Sequence, residues 1–257
     1  MNSNIFTPSE ILKPFIKRYI ITESDEDVVN RILPDTSIAV AFRFKGKLNH
    51  VIDQTITELP SSVISGLRKS ARLVNYTKGS SALIVSFKET GAKAFFKNPL
   101  HEIFEQSIAL DNLVPRQELA DIEERLSEAV SNSQRIGIME EFLIRILYSE
   151  ENDELIAAAV QKIQGANGNI KIKDLANSFY LSHDAFEKRF RKTVGTTPKQ
   201  FSSIIRMKAV IQSMQRNQTF TELAYDAGFF DQAHFNKEFK IFTGQPPSEF
   251  VKSPPLW

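Results

Sequence analysis

Two sets of polar side chains recur at helical spacing in the last third of this 257-residue chain. Asp184, Glu187, Lys188 and Arg191 share one face of a segment whose other face carries Phe186 and Phe190. Gln232, Ala233, Asn236, Lys237 and Lys240 stand in the same way opposite Phe235, Phe239 and Phe242. Acceptors and donors mixed on one face suit the reading of another hydrogen-bonding surface, not the making of bonds. The residues that bond-making needs are scattered. His50, His101, His183 and His234 form no H-x-H, H-E-x-x-H or i, i+4 pair, so metal ligation has no pattern to rest on. His50, next to Asn49, reads as a surface-loop histidine. The pairs Glu123-Glu124, Glu140-Glu141 and Glu150-Glu151 fall on polar helix faces or loop ends, where solvation explains them. The loop Gly165-Ala166-Asn167-Gly168-Asn169 lacks the lysine of a phosphate cradle, and there is no G-x-S-x-G elbow. The expectation is a protein that is not an enzyme and needs no cofactor or metal.

The elements that carry these faces occur twice. The first copy spans residues 172–201, with Leu175-Ala176, Phe186, Phe190, Gly195, Pro198 and Phe201. The second spans 220–250, with Leu223-Ala224, Phe235, Phe239, Gly244, Pro247 and Phe250. From the first phenylalanine of each onward, the spacings are identical. Upstream, the second copy has gained one residue in a turn. Such a repeat marks one supersecondary unit used twice. In the second copy residues 221–227 read as a short helix ended by Gly228, and Asp231 fits the N-cap of a helix over 232–242. In the first, Ser182 is the cap. Two short helices joined by a tight turn form a helix-turn-helix, whose second helix enters the DNA major groove.

The segment Gly228-Phe229-Phe230-Asp231-Gln232-Ala233-His234-Phe235, followed by Phe239-Lys240 and Gly244-Gln245-Pro246-Pro247-Ser248-Glu249-Phe250, resembles the signature of the AraC/XylS transcriptional regulators. The resemblance covers about the last hundred residues. It implies seven helices, with two helix-turn-helix units joined by a long linker helix. Residues 199–215 fit that linker, with Phe201, Ile204, Ile205, Lys208, Ala209, Ile211 and Gln212 as its stripe. Tyr180 departs from the family, which often has a turn glycine there. The resemblance places base reading at Asp184, Glu187 and Lys188, and at Gln232, Ala233, Asn236 and Lys237. Ser182, Arg191, Lys192, His234 and Lys240 are then expected to meet phosphates. A plainer role for Glu187 is helix support, paired with Arg191. Arg189 is turned away from the groove-facing side.

Charge agrees with this division. Residues 153–257 carry fourteen Lys and Arg against ten Asp and Glu, a net of +4, while the remainder nets −3. Neutralising phosphates with cations releases counterions, the sequence-independent part of DNA affinity. The chain has no cysteine, which excludes a disulfide framework and suits a reducing cytosol. No apolar run reaches the eighteen or so residues of a membrane span, and a cytoplasmic location with no membrane partner is expected.

The first half has a different grain. Residues 37–45 alternate in the manner of a half-buried strand, and 51–56, 62–64, 71–76 and 82–87 are further short candidates. Strands at such spacing suggest a small sandwich or barrel. Regulators similar to this chain often carry a β-rich sensory domain in front, and residues 91–104 resemble the end of one. Leu119, Ile122, Leu126 and Val130 form one helical stripe, and Met139, Phe142, Leu143, Ile146 and Leu147 another, with Ser131-Asn132-Ser133 between and Asn152-Asp153 as a joint. These helices fit a hairpin packed on the barrel or a dimer interface.

The fold class expected is α+β. A β-rich domain covers residues 1–113, a helical connector 114–152, and a DNA-binding domain with two helix-turn-helix units 153–257. The partners expected are double-stranded DNA, a small-molecule effector at the N-terminal domain, a second copy in a homodimer, and RNA polymerase. The competing reading is a β-barrel ligand-binding or enzymatic module with a helical protein-interaction tail.

Overall fold

The computed structural model describes residues 1–52, 55–148, 153–214 and 219–252. Its first half is built from antiparallel strands in two sheets. One sheet has the order β1 (Asn2–Phe6), β2 (Ile16–Ser24), β9 (Ser80–Phe87), β4 (Ala39–Lys45), β7 (Ser62–Ser65), β10 (Ser107–Ala109). The other runs β3 (Val28–Ile32), β8 (Arg72–Tyr76), β5 (Leu48–Ile52), β6 (Thr55–Glu58). The expected candidates near 37–45, 62–64, 71–76 and 82–87 are strands. Of residues 51–56, read as one strand, 51–52 belong to β5 and 55–56 to β6, which pair Val51 with Ile56.

Four strands escaped the sequence reading: β1, β2, β3 and β10. Strand β2 pairs with β1 on one side and with β9 on the other, so its partner is some sixty residues away, as with Ile20 and Ile84. His50 is corrected by the same pairing. It lies within β5 opposite Val74 and Thr57 rather than in a loop. Burial lowers the pKa of its imidazole, and nearby Arg72 and Arg68 lower it further.

The helices α1 (Arg116–Glu128) and α2 (Asn132–Ile146) form the expected pair. Leu119, Ile122 and Leu126 are buried, and Phe142 meets Phe42 of β4 edge to face at 5.8 Å. Val130 does not continue the stripe. It lies beyond the end of α1 with 91% exposure, next to Ser131, whose hydroxyl caps α2 by accepting from Gln134 N–H. Of the expected joint, Asn152 lies outside the described residues. Asp153 is the N-cap of α3 (Glu154–Gly165), accepting from Ile156 N–H.

The remaining helices are α4 (Ile172–Ser178), α5 (His183–Val194), α6 (Pro198–Ser213), α7 (Phe220–Asp226), α8 (Gln232–Thr243) and α9 (Pro247–Phe250). Helix α6 is the expected linker, starting one residue earlier; Gln215 lies outside the described residues. One apolar core runs from Tyr19 and Phe42 through Phe142 and Ile163 to Phe190 and Phe239. Gly168 fixes the crossing of the α3–α4 loop over α6. Its φ is +75°, and a Cβ there would stand 2.1 Å from the Ser202 carbonyl oxygen.

Candidate nucleic-acid interface

The turns of the two units share two of their three backbone hydrogen bonds, those made by the second and third donors; the first donor reaches back three residues in one unit and four in the other. In the first turn Phe179 N–H donates to Ala176, Tyr180 to Asn177 and Leu181 back to Ala176. In the second, Ala227 N–H donates to Leu223, Gly228 to Tyr225 and Phe229 to Ala224. Tyr180 and Gly228 therefore occupy equivalent places, and both have positive φ, 57° and 72°. The extra residue of the second copy is Phe230, inserted after this matched turn and 95% exposed.

Caps then start each second helix. Ser182 Oγ accepts from Ala185 N–H at 3.3 Å, and Asp231 Oδ1 from His234 N–H at 2.7 Å. Left-handed glycines end both, Gly195 at φ 90° and Gly244 at φ 77°. Beneath them run two phenylalanine ladders: Phe186–Phe190–Phe201 with ring centres 5.8 and 5.5 Å apart, and Phe235–Phe239–Phe250 at 5.6 and 5.4 Å. Burying these rings leaves the opposite faces of α5 and α8 free. Asp184, Lys188, Arg191 and Lys192 are exposed on α5, and Gln232, Ala233, His234, Asn236, Lys237 and Lys240 on α8.

Residues 175–253 match the family model described as a helix-turn-helix domain. The matched segment holds both turn-and-helix units described above. Residues 4–109 match a second model, described as a domain of unknown function (DUF6597). An uncharacterized HTH-type transcriptional regulator of Haemophilus influenzae is 28% identical over 109 residues, which is 42% of this chain and 37% of its own length. The Msm operon regulatory protein of Streptococcus mutans is 27% identical over 122 residues, 45% of this chain and 43% of its own. Each match thus spans less than half of the relative. Among solved structures, ToxT from Vibrio cholerae aligns over 91% of this chain and 97% of its own, with 11% identity and a TM-score of 0.47.

Several side chains of these two units have commitments that their spacing did not reveal. Glu187 is half-buried and forms no ion pair with Arg191 among the described residues. Ser182, expected to meet phosphate, gives its oxygen to the α5 cap. Gln232 Oε1 accepts from the Thr221 hydroxyl at 3.2 Å, and the His234 ring stands edge to face on Phe229 at 5.5 Å. Arg189 lies off the polar face, as expected, and the reason is Asp153, which takes two of its N–H groups at 2.7 and 2.8 Å. Arg206 of α6 sits 4.3 Å over the Phe229 ring, tying the linker helix to the second turn.

The structure also holds a cavity of about 660 Å³ that no motif announced. It is lined by one face of each sheet, including Ile20 and Ile84 of the first and Asn30, Ile32 and Tyr76 of the second, and it is walled by Lys208, Ile211 and Gln212 of α6. Asp35 at its edge pairs with Lys208. Burial raises the pKa of the Asp35 carboxyl, but Lys208 and Lys17 outweigh it and hold it below the usual range. A signal was present in the chain. Arg72, Val74 and Tyr76 share one strand face, and an arginine on a buried parity is out of place unless it has a task.

Proposed function

We propose that this chain is a sequence-specific, DNA-binding transcription regulator. Its two recognition helices, α5 and α8, enter successive major-groove segments on one side of the duplex. What carries the reading is the doubled unit itself. Two helices are capped and seated in the same way on equivalent phenylalanine ladders, each with its polar face exposed. Asp184, Glu187, Lys188, Gln232, Ala233, Asn236 and Lys237 are the base readers. Ser182, Arg191, Lys192, His234 and Lys240 serve phosphates, Ser182 through the amide end of the helix it caps.

Residues 153–257 are the DNA-binding part, residues 1–113 receive a small-molecule effector, and residues 114–152 connect them and pair two copies. RNA polymerase is the further partner at the promoter. Footprinting and mobility shift on DNA flanking the gene test this. Protection of two groove segments about 10 bp apart centre to centre is expected, with affinity falling as salt rises. Protection of a single segment, or binding indifferent to salt, would overturn it.

A further inference from the structure

We propose that the cavity between the sheets binds a small amphipathic oxyanion, with its acidic head on Arg68 and Arg72 and its apolar body along the isoleucines. The charge balance of the lining points there. Five cationic side chains line it, Arg18, Arg31, Arg68, Arg72 and Lys208, against one carboxylate, Asp35. That carboxylate is already spent on Lys208. Among the described residues, no Asp or Glu forms an ion pair with Arg18, Arg68 or Arg72.

The two arginines converge on one neutral atom. Arg68 donates to Ser107 Oγ at 2.7 Å and Arg72 to the same oxygen at 2.6 Å. Arg72 also donates to Ser65 Oγ at 3.0 Å. Two like charges thus share a hydroxyl; the Glu105 carboxylate, itself paired with Lys69, offsets Arg68 in part from beyond ion-pair distance, and among the described residues Arg72 has no carboxylate acting on it. The Nε atoms of Arg18, Arg68 and Arg72 are all shut off from solvent without a partner. Leaving such donors unmet is costly, and leaving a buried charge unmatched is costlier. Burial, then the charge of Arg68, push the Arg72 guanidinium down to about 10.

A carboxylate or phosphate head answers the unmatched charge, because guanidinium groups bind both through charge-assisted N–H···O bonds. A sugar or other neutral polar ligand would leave the charge unmatched, and a hydrocarbon would desolvate it further. The rest of the wall sets the body. Ile5, Ile20, Ile32, Leu33 and Ile84 line the same space. The volume is that of a small-ligand site.

The ligand class deepens the effector reading above and depends on it only for consequence, since Ile211 and Gln212 place an occupant against the helix joining the two DNA-reading units. Binding itself is measured without DNA. Calorimetry on the full chain with octanoate, octyl phosphate, octan-1-ol and acetate separates head from tail. Octanoate or octyl phosphate should bind about tenfold or more tightly than octan-1-ol, and acetate far more weakly than either. Arg68→Gln and Arg72→Gln should each weaken the acid about tenfold or more and leave octan-1-ol unchanged. Equal binding of octan-1-ol and octanoate, no binding of either amphipathic acid, or full affinity in the folded double variant would overturn the proposal. Should the variants fail to fold, the matched acid and alcohol on the unaltered chain decide it alone.

Discussion

Tyr180 and Gly228 hold the same backbone conformation at the same point of the two repeats, at φ 57° and 72°. A tyrosine accepts this left-handed geometry at a cost that a glycine does not bear. The turn nevertheless keeps its form, because Leu181 N–H donates to Ala176 just as Phe229 N–H donates to Ala224. The Tyr180 side chain repays little, being 99% exposed. Tyr180→Gly should therefore stabilise the chain by about 0.5–1 kcal/mol, after the entropy that glycine loses on folding is deducted. Thermal melting checks this. A fall in Tm would mean that the tyrosine ring has a role in the fold that its exposure conceals.

The Asp35–Lys208 pair joins the strand half of the chain to the linker helix α6. Replacing Asp35 with Asn should cost about 1 kcal/mol, since both side chains remain about one-third exposed and water screens them. Faster amide exchange in α6 would report the loosening. The pH dependence has a definite sign. With its folded pKa held below the ordinary value of 3.8, Asp35 contributes stability that is full above that value and lost as pH falls through the folded pKa. In Asp35→Asn this part of the acid unfolding profile should vanish; an unchanged profile would assign the acid sensitivity to other groups.

Glu187 and Lys188 are neighbours with opposite demands on a DNA surface. Glu187 is left without Arg191 as a partner, so a donor such as cytosine N4 has an acceptor to meet. Glu187→Ala should relax preference for a C·G pair at one position of the site while raising non-specific affinity. Lys188→Ala should cost about 1–3 kcal/mol on the best site through a lost guanine contact. Binding-site selection with each variant reads this out, and an unchanged motif from Glu187→Ala would show that the carboxylate reads nothing.

Lys192 and Lys240 lie late in α5 and α8, both exposed. Each should act on the backbone alone. Replacing either with Ala should weaken binding to all sequences alike and lower the salt slope by about one. A changed sequence preference in a salt-titrated binding assay would reassign that lysine to the bases.

The DNA-facing half was legible because its signals are local. Phe186 and Phe190, like Phe235 and Phe239, stand one helical turn apart, and Ser182 and Asp231 cap within three residues of their targets. Such relations need no knowledge of the rest of the chain. The same locality explains the misreadings. Val130 continued a helical spacing past the point where Ser131 starts a new helix, and His50 adjoined polar residues although its strand is defined by Val74 and Thr57.

The sequence by itself determined the doubled helix-turn-helix, its inward and outward faces and the β-rich character of the first half, since each follows from periodicity and turn chemistry within a few residues. Only the tertiary structure decided that β2 lies between β1 and β9, that Arg68 and Arg72 meet over Ser107, that Arg189 belongs to Asp153, and that Lys208 reaches Asp35 across the chain. The physical reason is the range of the interaction. A helix face is set by neighbours three and four residues away, whereas strand order and convergence of charges depend on partners tens to more than a hundred residues distant, and those distances are fixed only when the chain has closed on its core.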